Sequence, residues 1–156
     1  MSTIINDVKK VEHEGSLDMN HISNVFLICG GNDIIENAYP DSDITEFINS
    51  YHSLVELTKE SFPNAKINVF SLIPRRGIYD NHIDRMYHVN DMLNKMCKEQ
   101  EIRFVNIFSH FLQYNHSYGC HSMITNLFKN DMLHFSDIGS SVLAKVLIGV
   151  VNKPRS

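Results

Sequence analysis

The chain has 156 residues, enough to bury a core without disulfide or metal staples. Hydrophobic residues make up 43% and charged residues 21%, which excludes an intrinsically disordered chain, and no apolar run reaches the roughly 18–20 residues of a membrane span. The net charge of −4 argues against sequence-independent binding of nucleic acid.

Residues 1–23 are polar and mixed, with partial helical spacing at Ile5, Val8 and Val11 that Gly15-Ser16 interrupts. They form an atypical N-terminal segment. The apolar run Val25-Phe26-Leu27-Ile28-Cys29 follows and stops at Gly30-Gly31-Asn32-Asp33. An unbroken apolar run of this length reads as a strand buried on both faces. Ile44, Phe47, Ile48, Tyr51, Leu54, Val55 and Leu57 recur with a period of 3.6, behind the capping candidates Asp41, Ser42 and Asp43 and ahead of Pro63. Lys66 to Ile73 reads as a second strand, closed by Pro74 and the loop Arg75-Arg76-Gly77. Asp80 or Asn81 caps a second helix with the stripe Ile83, Met86, Tyr87, Leu93, Met96 and Cys97, and Arg103–Phe108 reads as a third strand. Residues 109–130 read as irregular, and a last helix runs from about Asp137 to Val151.

Strands alternating with helices predict an α/β fold, with a parallel sheet covered by helices on both faces. No linker or repeat divides the sequence, so residues 1–156 read as a single domain. Cys29, Cys97 and Cys120 are an odd set without metal-type spacing, and residues 1–6 lack an apolar signal core. Both features point to a reducing, cytoplasmic setting. His110, His116 and His121 stand beside Cys120, but their spacing matches no standard zinc site. No phosphate-binding glycine loop is present, so neither a metal nor a cofactor is expected.

The ends of the three strands supply the chemistry. In a parallel sheet the carboxyl ends share one rim. Gly30-Gly31-Asn32-Asp33, the Arg75-Arg76 loop and the segment carrying Asp131 and His134 all fall there. An Asn beside a glycine turn offers an amide to a developing oxyanion. A His held by an Asp three residues earlier is a general base with a fixed tautomer. Arg75 and Arg76 are candidates for contacting an anion, though a solvated loop pair is the better reading of the two.

Gly30-Gly31-Asn32-Asp33 resembles the Gly-x-Asn-Asp block of SGNH (GDSL-type) esterases and lipases. Asp131-Met132-Leu133-His134, followed by Phe135-Ser136-Asp137-x-Gly139, resembles their closing Asp-x-x-His block. The two stand in family order, about a hundred residues apart. The loop at Ile73-Pro74-Arg75 and the Asn90…Leu93…Cys97 helix are similar to the esterase domains of some retroelement proteins. This resemblance implies a three-layer, flavodoxin-like α/β fold over residues 24–150, reduced at its N-terminus. It also implies ester or acyl hydrolysis, with His134 as base, Asp131 orienting it, Asn32 and a Gly30 or Gly31 N–H in the oxyanion hole, and Asp33 at the rim.

The family's serine nucleophile lies in a Gly-Asp-Ser block well before the Gly-x-Asn-Asp block. The 29 residues ahead of Gly30 contain no such block; Gly15-Ser16-Leu17 is the nearest imitation, and Ser2 and Ser23 match it less well. Two functions therefore stand side by side. One is a serine ester or acyl hydrolase acting on a small-molecule substrate. The other is a catalytically inactive SGNH-like module that binds protein or RNA. The missing first strand would leave one edge of residues 25–29 open. Coverage is expected from residues 2–6, from a partner strand in a homodimer, or from a longer gene product of which this chain is a piece.

Overall fold

A computed structural model describes residues 19–31, 33, 41–74, 82–117 and 119–152. Asn32, Arg75, Arg76, the cap candidates Asp80 and Asn81, and residues 2–6 lie outside the described residues. The elements are β1 (Asn24–Leu27), α1 (Asp41–Ser61), β2 (Lys66–Phe70), α2 (His82–Glu99), β3 (Arg103–Val105), β4 (Leu112–Asn115), β5 (Cys120–Met123) and α3 (Asp137–Asn152). Short 3₁₀ turns occupy Met19–His21, Phe108–Phe111 and Thr125–Leu127.

The chain is α/β. Strands β1, β2 and β3 form a parallel sheet in that order, with Val25 opposite Ile67 and Asn68 opposite Arg103. Alternation along the strands divides their side chains between two faces. Val25, Leu27, Ile67, Val69 and Phe104 pack with Phe47, Tyr51 and Leu54 of α1 and with Met86, Val89 and Leu93 of α2. Phe26, Phe70 and Val105 pack on the other side with Leu143, Val146, Leu147 and Val150 of α3. Phe26 and Phe70 meet edge to face at 5.8 Å. Arg103 fastens the second face by donating to the Val150 carbonyl at 2.9 Å, where a helix C-terminus favours a cation.

The strands are shorter than their apolar runs, and Ser71 is the reason. Its N–H still pairs with the Val105 carbonyl (3.0 Å), but its Oγ accepts the N–H groups of Ile107 and Phe108, both at 2.9 Å. This draws the third strand out of the ladder after Val105 instead of at Phe108. Beyond Ser71, both backbone groups of Leu72 turn to the Asn90 side chain, so β2 ends at Phe70 instead of Ile73.

Two further expectations are corrected. β1 is not buried on both faces: Val25 and Phe26 are half-buried and Ile28 is 39% exposed. Among the described residues β1 pairs only with β2 and stands at the edge of the three-stranded sheet. Residues 109–130 are not irregular throughout, because β4 and β5 form an antiparallel hairpin that pairs Leu112 with Met123 and Asn115 with Cys120. Smaller shifts affect the helices. α1 begins at Asp41, ahead of the apolar stripe, and α3 reaches Asn152. No described helix is long and apolar enough to cross a membrane.

Candidate active site

β1 ends in a corner that only glycine fits. Gly30 has φ +95°, in the region that side chains disfavour, and a Cβ there would lie 2.7 Å from the Phe47 ring. Just before it, Cys29 Sγ stands 3.7 Å from the Tyr51 hydroxyl, which donates to the Leu27 carbonyl at 3.3 Å. Burial pushes the Cys29 thiol up, with a further push from the nearby charge of Asp33. Burial also pushes the Tyr51 phenol well up. Both groups stay neutral, so Cys29 is a packed thiol and not a substitute nucleophile. Gly31 and Asp33 stand at the same corner; both are half-buried.

The Asp131–His134 pair is built by its own turn. The Lys129 N–H donates to the His134 carbonyl at 2.8 Å, the Met132 N–H donates to the Lys129 carbonyl at 2.9 Å, and Met132 adopts φ +55°. Asp131 Oδ1 accepts the N–H groups of Leu133 and His134, both at 2.9 Å. Its Oδ2 meets His134 Nδ1 at 2.7 Å. The His134 ring, followed by the two backbone N–H groups, holds the Asp131 carboxyl well below the usual carboxylate range. An ionised carboxylate on Nδ1 fixes the proton there and leaves Nε2 as the acceptor. The His134 side chain is 69% exposed, so that nitrogen is open to a reactant.

The residues after His134 seat the turn. Ser136 donates through Oγ to the Asn126 carbonyl (2.7 Å) and accepts the Gly139 N–H (3.2 Å), which caps α3. A Cβ on Gly139 would collide with the Leu127 carbonyl. Beneath the turn Phe111 and Phe135 stack at 5.1 Å, with Phe128 at 5.7 and 5.8 Å from them. Ile73 packs against this ring cluster. It also lines a pocket of about 50 Å³ with Ile28, Cys29, Gly31, Ser71 and Leu72. The frame of that pocket is Asn90, whose Oδ1 accepts the Leu72 N–H (2.7 Å) and whose Nδ2 donates to the Leu72 carbonyl (3.2 Å).

The structure thus pairs Asp131 with His134 and sets Gly30, Gly31 and Asp33 at the end of β1. Among the described residues no hydroxyl or thiol is hydrogen-bonded to His134, and no three His, Cys, Asp or Glu side chains converge as a metal site. Tyr114 instead packs its ring against His116 (5.0 Å) and His121 (5.4 Å). Sequence reasoning missed Ser71 and the bidentate role of Asn90. The signal for each was a polar residue inside an apolar pattern.

No protein-family model matches the chain, and no curated protein matches it in sequence. Its fold has clear counterparts. A GDSL-like lipase from Bacteroides thetaiotaomicron superposes with a TM-score of 0.65 at 20% identity, over 83% of this chain and 62% of the lipase. An acetyl xylan esterase gives 0.68 at 18% identity, over 94% and 75%. The esterase domain of the ORF1 protein from the zebrafish ZfL2-1 retrotransposon gives 0.56 at 23% identity, over 76% and 67%. The chain spans about three-fifths of the lipase and two-thirds of the retrotransposon domain. The chain has the SGNH-hydrolase fold, as its two sequence blocks implied.

Proposed function

We propose that this chain carries the acid–base half of an ester or acyl hydrolase site. The observation that supports this reading is the Asp131–His134 hydrogen bond, which fixes the tautomer and leaves Nε2 exposed. In the proposed reaction His134 Nε2 takes the proton of an attacking serine hydroxyl and returns it to the leaving alcohol; it then takes a proton from the water that attacks the acyl-serine and returns it to the serine oxygen as the carboxylic acid leaves. Asp131 stays ionised and stabilises the imidazolium between the two transfers of each step. Asn32 and a backbone N–H at Gly30 or Gly31 receive the oxyanion, and Asp33 sits beside them. Arg75 and Arg76 are proposed as contacts for an anionic substrate. The serine comes from outside the residues described here.

The test is hydrolysis of p-nitrophenyl acetate, together with labelling by a serine-directed fluorophosphonate and peptide mapping. Turnover above buffer, one labelled serine, and a loss of about 10³-fold or more in both His134→Ala and Asp131→Asn are expected. Background rates and no labelled serine would instead favour the second reading, an inactive SGNH-like module that binds protein or RNA. The lack of a hydroxyl on His134 among the described residues favours that reading. Coverage of the β1 edge by a second copy or partner strand is proposed with either one, and sedimentation of the full chain tests it.

A further inference from the structure

The pocket at the ends of β1 and β2 has a size and a polarity that select a ligand. It measures about 50 Å³. A water molecule needs roughly 10–15 Å³ of such space, so the pocket takes about three to five non-hydrogen atoms. Ile28, Leu72 and Ile73 supply its apolar side chains. Ser71 is its polar feature. It is 1% exposed, and both acceptor positions of its Oγ are filled by the Ile107 and Phe108 N–H groups. Among the described residues the hydroxyl proton has no acceptor. A buried hydroxyl whose lone pairs are occupied can only donate, and a ligand carbonyl satisfies it.

The clamp from Asn90 makes the shape persistent. With both backbone groups of Leu72 bonded to one buried amide, the wall cannot withdraw without leaving polar groups unpaired. On the far side Ile73 is fixed between the α3 face and the ring cluster beneath the His134 turn. Gly31, a proposed oxyanion donor, belongs to the same lining.

From this we infer that the pocket binds a short acyl group, acetyl or propionyl, with the methyl against Ile28, Leu72 and Ile73 and the carbonyl accepting from Ser71. The inference rests on the hydrolase reading for its consequence, which is that the substrates are acetyl-type esters and not long-chain lipids. Binding itself needs no nucleophile. Ser71 contacts the ligand directly in this scheme.

The experiment uses amides, which present the same methyl and carbonyl but resist esterase turnover. The full ¹⁵N-labelled chain is titrated with N-methylacetamide and with N-methylhexanamide, following the amide signals of Cys29, Gly31, Leu72 and Ile73. Saturable shifts of those signals with N-methylacetamide in the millimolar range are expected, with at least tenfold weaker binding of N-methylhexanamide. Ile28→Trp, at the exposed rim, should fill the pocket and weaken N-methylacetamide at least tenfold while the rest of the spectrum stays in place. Ser71→Ala is the sharper variant but removes an acceptor from Ile107 and Phe108. Ser71→Thr keeps the hydroxyl and should retain binding if the chain folds. Absence of saturable shifts, equal binding of the two amides, or indifference to Ile28→Trp would each overturn the inference. Hydrolysis that depends on His134 but prefers long-chain esters would overturn it while leaving the hydrolase reading intact. Acetamide binding without any turnover would do the reverse.

Discussion

Replacing Asn90 with alanine removes two hydrogen bonds from a place that water does not reach. Leu72 is 3% exposed and Asn90 7%, so the freed N–H and C=O of Leu72 find no new partners. Each buried backbone group left unsatisfied costs about 1–3 kcal/mol, so the variant should lose about 2–6 kcal/mol. For a chain of this length 1 kcal/mol moves Tm by roughly 2–4 °C, and a fall of about 5–20 °C is expected. Urea unfolding gives the same difference at constant m if the denatured state is unchanged. Asn90→Asp refines the test. It keeps an acceptor for the Leu72 N–H but sets an oxygen against the Leu72 carbonyl. Burial and that carbonyl both raise the folded-state pKa of the new carboxyl above its unfolded value of about 3.9. Its protonated form can donate as the amide did. The deficit relative to wild type should be smallest at low pH and grow as pH rises through the folded pKa. A loss below about 1 kcal/mol in Asn90→Ala, or a deficit in Asn90→Asp that is flat from pH 5 to 8, would refute the clamp.

Gly30→Ala should cost about 2–4 kcal/mol, from a side chain held at φ +95° and a Cβ 2.7 Å from the Phe47 ring, with part recovered when Phe47→Leu is added. Gly139→Ala should push α3 away from the Leu127 carbonyl, at about 2–4 kcal/mol, and move the His134 ring signals in the NMR spectrum. The Asp131 carboxyl should titrate well below the usual carboxylate range by ¹³C NMR. Because its folded pKa is depressed, its contribution to stability is present above about pH 3.9 and is lost only as pH falls below that towards the folded value. His134→Ala removes the first cause of the depression and should bring the titration back towards the ordinary range.

The layers of this fold were readable because three apolar runs alternate with two 3.6-period stripes and a capped apolar helix. The Asp131–His134 pair was readable because a spacing of three residues lets one tight turn close both a side-chain and two backbone hydrogen bonds. The hairpin was not readable. Leu112–Asn115 and Cys120–Met123 carry Gln113, Tyr114, Cys120 and His121 outward, so no four-residue apolar run marks either strand. The open edge of β1 was readable from the missing first strand, but its partial exposure was hidden, since an apolar run reports hydrophobicity and not the number of neighbours. Strand ends were overestimated because Ser71 and Asn90 replace ladder bonds with side-chain bonds, and apolarity continues past the point where pairing stops.

The three rings under the His134 turn also bear on heat. Phe111, Phe128 and Phe135, with Leu127 and Met132, form a cluster separate from the sheet's two cores and reach the second of them through Ile73. A unit this small opens at lower free energy than the body it rests on. The Lys129 and His134 amides should therefore exchange with deuterium well before that of Val69. On warming, the Asp–His geometry is the first thing to be lost, and any activity would fade while the circular dichroism still reports an intact sheet. Thermal tolerance of function in this chain is then tuned by a handful of phenylalanines, none of which touches the chemistry.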